Sequence, residues 1–288
     1  MTIRPLRDDD AEPAAEVWLE AFGRLLAPVA PVDPAEPLDP AEITRTAQRY
    51  RHLITTDPGG SFVAVEDGSI VGLAASLVRG DTFVLSNLAV RPDHQSGGIG
   101  RQLLELALAA GATAPTGVIF SSSDPRAVHR YIRAGFAVHP AMGATGRPDG
   151  RAVESPLRAA TASLADRAEI DRVDLAVHGR TRRVDLEFLL GTGSECYLDG
   201  EGAYAVVSSG RLTWLAATDE RLGRRALAAL LSGSVTGAPL SAMWMTAEMQ
   251  WAFLAATDAG AELGSRGSVM VRGRPNHRGA YVPNGVFG

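Results

Sequence analysis

The sequence predicts an α/β chain of two domains in tandem, each a mixed, mostly antiparallel sheet flanked by helices. Three observations predict it. The chain has 288 residues, more than the ~100 to 200 of an ordinary domain. Short apolar runs alternate with stretches whose apolar residues recur at helical spacing. Finally, Ala144 to Glu154, rich in Gly, Pro, Arg and Asp and without periodicity, interrupts this pattern, after which the same order of elements begins again. The expected domains are residues 1–145 and 155–288.

In the first domain Ile3 to Leu6 reads as a strand, and Asp10 to Phe22 as a helix whose first-turn carboxylates suit its positive end. Pro28, Pro31, Pro34, Pro37 and Pro40 recur every third residue, the period of polyproline II, and predict a stiff solvated excursion. Asp39 is placed to N-cap a second helix, with Pro40 at its first position, running to about Leu53. Ser61 to Glu66 and Ile70 to Arg79 form a hairpin about Asp67-Gly68, and Phe83 to Val90 is a further strand. A helix from Arg101 to Ala110, a strand from Gly117 to Ser121 and a helix from Pro125 to Ala134 follow, the last closed by Gly135. The second domain repeats the theme: helices near Ala162 to Val177 and Arg180 to Leu190, then strands near Ala203 to Ser208 and Arg211 to Thr218. A helix from Asp219 to Leu231, a strand from Leu240 to Met245, a helix from Ala247 to Ala259 and a strand from Ser268 to Val271 complete an internal duplication.

Composition removes several chemistries. All 28 basic residues are arginine, which excludes Schiff-base catalysis, pyridoxal-phosphate anchoring and a Walker-type phosphate loop. The single Cys196 can make neither an internal disulfide nor a multi-cysteine zinc site, and reads as a half-buried strand residue. His94, His129 and His139 lack a metal-ligand spacing, so no metal is expected. A net charge of −5 argues against nucleic acid. No run approaches the ~18 apolar residues of a membrane helix, and the N-terminus lacks a signal peptide, so a cytoplasmic protein with no membrane partner is expected. Ten carboxylates (Asp8, Asp9, Asp10, Glu12, Glu16, Glu20, Asp33, Glu36, Asp39, Glu42) face only Arg4, Arg7 and Arg24 within the first 42 residues.

The most informative segment is Leu88-Ala89-Val90-Arg91-Pro92-Asp93-His94-Gln95-Ser96-Gly97-Gly98-Ile99-Gly100-Arg101, between a strand and the first turn of a helix. Its glycines let backbone come close to a ligand, and the free N–H groups of a helix start favour a pyrophosphate. The Gly-x-Gly-x-x-Gly spacing of a dinucleotide fold is absent. Downstream stands Asp124-x-x-Ala127-x-x-x-Tyr131-x-x-x-Gly135-Phe136.

These two segments, in this order and spacing, resemble the GNAT superfamily of N-acetyltransferases over about residues 1 to 140. Gln95-Ser96-Gly97-Gly98-Ile99-Gly100 matches that family's phosphate-loop pattern, preceded by its Leu-Ala-Val-x-Pro. The resemblance implies acetyl-CoA as cosubstrate and transfer of its acetyl group, or another short acyl group, to a primary amine by direct attack. Backbone N–H groups around Leu88, Ala89 and Val90 would receive the pantetheine and polarise the thioester, as oxyanion-hole donors do. Gln95, Ser96, Gly97, Gly98, Ile99, Gly100 and Arg101 would cradle the pyrophosphate, and Tyr131 would protonate the departing thiolate. Asp124 stands where the family commonly has Asn; it keeps an acceptor and loses the amide donor. On helix spacing alone Tyr131 could equally pack in the core, and Arg126, Arg130 and Arg133 could reach the CoA 3′-phosphate or form a solvated face.

The acidic N-terminal segment corresponds to the helix-loop-helix region that lines the family's acceptor side, which implies a small-molecule amine that is cationic before reaction. Ser86 and Asn87 occupy the stretch where many members carry a basic carboxylate, leaving as alternatives Glu20, Glu66 and the chain's terminal carboxylate, which some tandem relatives use. In the second half, Asp219-Glu220-Arg221-Leu222-Gly223-Arg224-Arg225 puts carboxylates where a phosphate loop would stand, and Ala256 falls on Tyr131. That half resembles a degenerate GNAT domain that does not bind CoA. A CoA-binding regulatory protein without turnover, or an acyltransferase fed by an acyl carrier protein, would share the pantetheine features.

Overall fold

The computed structural model describes residues 1–26, 37–95, 97–161, 163–274 and 277–288. Pro28, Pro31 and Pro34 of the proline-spaced excursion lie outside the described residues. The chain forms two compact units. Unit 1 holds Met1–Ala137, Met270–Arg274 and Val286–Gly288; unit 2 holds Val138–Val269 and Pro275–Gly285. Sequence reading puts 138–145 with the first domain and the whole C-terminal segment with the second. The units instead exchange short segments, because strands form wherever an edge completes a sheet and not where composition changes.

Unit 1 runs β1 (Thr2–Pro5), α1 (Ala11–Leu26), α2 (Pro40–Thr56), β2 (Ser61–Glu66), β3 (Ser69–Arg79), β4 (Thr82–Val90), α3 (Ile99–Ala110), β5 (Thr116–Ser121) and α4 (Pro125–Arg133). The sheet order is β1-β2-β3-β4-β5. Its pairs are antiparallel until β4 and β5, which run parallel around α3 as a crossover connection requires. Local signals act as their chemistry dictates. The Asp39 carboxylate accepts the Ala41 N–H at 2.9 Å with Pro40 at the start of α2, and Gly135 adopts φ 86° beyond α4. α3 buries Ile99, Leu103, Leu104 and Ala107 with Phe83, Leu85, Tyr131, Phe136 and Met270 in one apolar cluster. α1 packs on β3 and β4, α2 packs on α1 and β3, and together they bury Val17, Tyr50 and Leu53.

Unit 2 contains β6 (Ala137–Thr145), β7 (Arg158–Ala159), α5 (Leu164–His178), α6 (Arg183–Gly191), β8 (Glu195–Leu198), β9 (Ala203–Ser208), β10 (Arg211–Ala217), α7 (Glu220–Leu231), β11 (Ser241–Thr246), α8 (Gln250–Ala259), most of β12 (Glu262–Arg272), and β13 (Ala280–Val282). β6-β11-β10-β9-β8-β7 are neighbours in this order, and β13 also pairs with β10. The sequence reading misses β6, β7 and β13, and of β8 it has only Cys196 as a strand residue. Pro140 breaks the sequence pattern of a strand although β6 runs through it, and β7 and β13 are too short to show a period. Cys196 of β8 is buried, and burial pushes its thiol up to about 12, which leaves an unreactive core residue.

The interior of unit 2 is organised around a buried cation. Arg182, 1% exposed, lies over the Trp214 ring at 4.1 Å from its centroid and over the Tyr281 ring at 5.2 Å, and donates to the Tyr281 hydroxyl. Its backbone N–H donates to Asp174 Oδ2 at 2.7 Å, and the other Asp174 oxygen accepts the Tyr204 hydroxyl at 2.5 Å. Burial raises the Asp174 carboxyl, with Arg182 opposing it. Removing one member of a buried charged set typically costs ~3 to 5 kcal/mol. Arg182→Met is therefore expected to destabilise unit 2 by an amount in that range, read as an earlier urea midpoint in tryptophan fluorescence; an unchanged midpoint would count against this account of the core.

Candidate functional site

The first feature of the site is a gap in the sheet of unit 1. β4 and β5 pair from Thr82↔Thr116 to Leu85↔Ile119 and no further, although β4 continues to Val90. The cause lies on the other side of β4. Ala75 pairs with Asn87 and Ser76 with Leu85, so Ser86 is an extra residue, and such a bulge bends the strand. Beyond it, Arg91 N–H donates to Val71 O at 2.8 Å, toward β3. Successive residues of an antiparallel strand point their N–H and C=O groups alternately to either side. Ala89 therefore faces β3, whereas Leu88 and Val90 aim their backbone groups into the gap. Val90 O confirms the direction by accepting from Gln95 Nε2 at 3.1 Å.

The second feature is the loop that closes this gap. Gly98 caps α3 at φ 82°, ψ 0° and supplies no side chain to its first turn. A left-handed conformation costs other L-residues ~1 to 2 kcal/mol, and the leading N–H groups stay open toward the loop. At Gly100 an added Cβ would sit 3.0 Å from Arg130 Nη1, which places the Arg130 guanidinium against the helix start. Gln95 is held from both ends: its amide donates to Val90, and its Oε1 accepts from Arg126 Nη1 at 2.7 Å. Arg101 is 72% exposed and lies 3.9 Å from Glu105. Ser96 lies outside the described residues.

Asp124 caps α4 by accepting Arg126 N–H at 2.9 Å and holds the Arg126 side chain at 3.1 and 2.9 Å. Burial raises its carboxyl, but these Arg126 bonds outweigh that and hold it below the usual range. It thus fixes Arg126 beside Gln95, a link between two segments that sequence patterns treat separately. Tyr131 is 5% exposed, within the α3 cluster. Burial pushes its phenol well up, with Arg130 partly opposing. Among the described residues none hydrogen-bonds its hydroxyl.

Both alternative side-chain carboxylates are engaged. Glu20 holds Arg91 Nη1 at 3.1 and 2.9 Å, and Glu66 lies 3.3 Å from His94 Nε2. Sequence reasoning missed a different group. Arg49 of α2 donates from Nη2 to Asn87 Oδ1 at 3.2 Å, with Ser86 Oγ 3.4 Å from the same oxygen. Its position on an exposed-looking helix face concealed this; only the fold brings α2 to the bulge.

Unit 2 contains the counterpart of the gap, and its own chain fills it. β10 and β11 pair in parallel at Arg211↔Ser241, and farther along Leu215, Ala216 and Ala217 pair instead with Val282, Tyr281 and Ala280 of β13. At Gly279, φ 71°, an added Cβ would lie 2.4 Å from Ala217 O. The start of α7 is closed as well. Asp219 takes the Leu222 N–H at 2.9 Å, and a Cβ on Gly223 would lie 2.5 Å from Ala280 Cβ. Ala252 and Ala256 are fully buried.

Comparison with known proteins agrees with this geometry. Residues 57–138 match the profile of the Acetyltransferase (GNAT) domain. The chain is 35% identical over 91 residues to the mycothiol acetyltransferase of Streptomyces coelicolor, covering 29% of this chain and 28% of that protein. It is 37% identical over 93 residues to the mycothiol acetyltransferase of Streptomyces avermitilis, covering 29% of each. The chain thus matches less than a third of the length of these curated relatives. A solved Pyrococcus horikoshii protein provisionally assigned as an acetyltransferase aligns with 100% of this chain and 95% of its own at TM-score 0.75 and 15% identity. A GCN5-related N-acetyltransferase of Sphaerobacter thermophilus aligns with 97% and 96% at TM-score 0.59 and 14% identity. At such identities the likeness is one of fold. Among the described residues no group of three His, Cys, Asp or Glu could hold a metal ion, and no helix is long and apolar enough to cross a membrane.

Two outcomes follow for the site. Gly98→Glu puts strain, bulk and negative charge at the loop, and is expected to abolish CoA binding in a calorimetric titration while circular dichroism stays unchanged; Gly98→Ala, which adds strain alone, should bind more weakly than the parent and better than Gly98→Glu. Because β13 occupies the gap of unit 2, the same titration of the parent should saturate at one CoA per chain, and a stoichiometry of two would show that β13 yields its place.

Proposed function

From the premise that the chain belongs to the GNAT superfamily, we propose that it transfers an acetyl group from acetyl-CoA to the primary amine of a small molecule, by direct attack of the amine. The observation that carries this reading is the end of β4–β5 pairing at Leu85↔Ile119 with the Gly98 helix start beyond it. A pantetheine arm fits such a gap, since its amides need strand-like partners and β4 offers Leu88 and Val90. The pyrophosphate suits the α3 N-terminus, where Arg130 adds positive charge.

In this reading the thioester supplies the activated acyl group, and the chain supplies placement and charge. Leu88 and Val90 N–H groups polarise the thioester carbonyl as negative charge grows on its oxygen; one such donor is commonly worth ~2.7 to 4 kcal/mol. Ala89 fixes the alternation that aims them, and Gln95 braces the loop. Asp124 acts through Arg126. The amine arrives as a cation, attracted by the carboxylates of the first 42 residues, loses one proton to solvent before attack, and yields a second through solvent to the CoA thiolate as the tetrahedral intermediate collapses. Glu20 and Glu66, engaged with Arg91 and His94, serve as charge and not as free bases. Unit 2 binds no CoA in this reading.

Tyr131 is the hydrogen-bond donor to the leaving thiolate. A free thiol has a pKa near ~8.5 and a phenol near ~10, so proton transfer is uphill, and burial makes the phenol a weaker acid still. Its value is that it stays protonated: a raised pKa favours the neutral form, so no loss of rate from Tyr131 ionisation is expected below ~pH 10. Tyr131→Phe should lower kcat for thiol release by ~10²- to 10⁴-fold with acetyl-CoA affinity nearly unchanged. If the Phe variant turns over like the parent, Tyr131 is a packing residue.

A further inference from the structure

The polar group at the bulge points to the acceptor's second functional group. Arg49 is half-buried, and one nitrogen of its guanidinium is held by the neutral amide oxygen of Asn87 at 3.2 Å. Its Nε is buried and without a hydrogen-bond partner. Among the described residues no carboxylate pairs with it, whereas Arg4, Arg79, Arg91 and Arg126 of the same unit each have an Asp or Glu. Beside it the Tyr50 hydroxyl is buried without a geometrically sound partner, and burial pushes its phenol up to about 12 against the pull of Arg49. Taking a cation from water without a counter-ion is unfavourable. Its retention here fits an anion that arrives from outside.

The location says which anion. Asn87 precedes Leu88, whose N–H faces the gap, and consecutive Cα atoms are ~3.8 Å apart. A group bound at Arg49 is therefore close to the carbonyl that the amine attacks. A guanidinium fork matches a planar carboxylate, and in an α-amino acid the amine and the carboxylate share one carbon. We infer that the acceptor is an amino-acid-like molecule whose free carboxylate is received by Arg49, with Asn87 orienting the guanidinium. This rests on the acetyl-transfer reading and narrows it: the ammonium answers the acidic N-terminal segment, and the carboxylate answers an arginine whose buried Nε has no hydrogen-bond partner.

The test compares the L-amino acids with their carboxamides, which lack the charge at issue, with each rate referred to the free-amine fraction because amidation also lowers the amine pKa. Thiol release from acetyl-CoA is followed for the parent, Arg49→Gln and Asn87→Asp; the last supplies from within the protein the carboxylate that the acceptor would bring. At least one acid should exceed its amide by ~10-fold or more in kcat/KM. Both variants should erase that preference by raising KM for the acid, and Arg49→Gln should lower kcat/KM for the amide far less than for the acid. A parent that prefers amides, or an Arg49→Gln that lowers acid and amide alike, overturns the inference. If no thiol is released, equilibrium binding of the same pairs to the CoA-loaded protein decides it separately. Acid-selective binding lost in Arg49→Gln upholds the carboxylate site while refuting acetyl transfer; the absence of acid-selective binding refutes the site.

Discussion

Everything at the candidate site depends on one broken ladder. β4 and β5 hold together through Leu85↔Ile119 and then part, because Ser86 inserts an extra residue on the opposite side of β4 and turns the strand away. Backbone N–H and C=O groups in a sheet interior normally find a strand partner. Here Leu88 and Val90 face a gap, and a ligand with amides of its own is the natural occupant. The open pair of strands is a local deficit of backbone partners, and in the proposed function it is the means of binding.

The loop and α4 make that gap specific. Gly98 turns the chain into α3 with its N–H groups forward, and Arg130 stands where any side chain at Gly100 would intrude. Asp124 does not need to touch a ligand to matter. By capping α4 and gripping Arg126, it fixes the residue that braces Gln95, which in turn braces Val90. The chain of contacts runs from one signature segment to the other and back to the strand that bears the donors.

Unit 2 shows what becomes of the same design when its gap is closed from within. β13 occupies the flank of β10, Gly279 and Gly223 allow the close approach, and carboxylates stand at the helix start. The interior of unit 2 is built around Arg182, Asp174 and two tyrosines. A parallel strand pair is therefore open beyond its pairing in unit 1 and flanked by β13 in unit 2.

By itself the sequence determined the alternation of elements, the capped start of α2 at Asp39-Pro40, the glycine-rich turn into α3 and the tyrosine of α4, because these depend on contacts between near neighbours in the chain. It also carried the carboxylates Asp219 and Glu220 at the start of α7, since charge is legible residue by residue. Only the tertiary structure decided where pairing stops between β4 and β5, that three residues at 280–282 fill the gap of unit 2, and that Arg49 lies against Asn87. Each of these joins residues far apart in sequence, through strands too short or helix faces too ordinary to show a period. The bulge at Ser86 is the clearest case: a serine in an apolar strand is unremarked in sequence, and becomes decisive only when its neighbours on β3 leave it no partner.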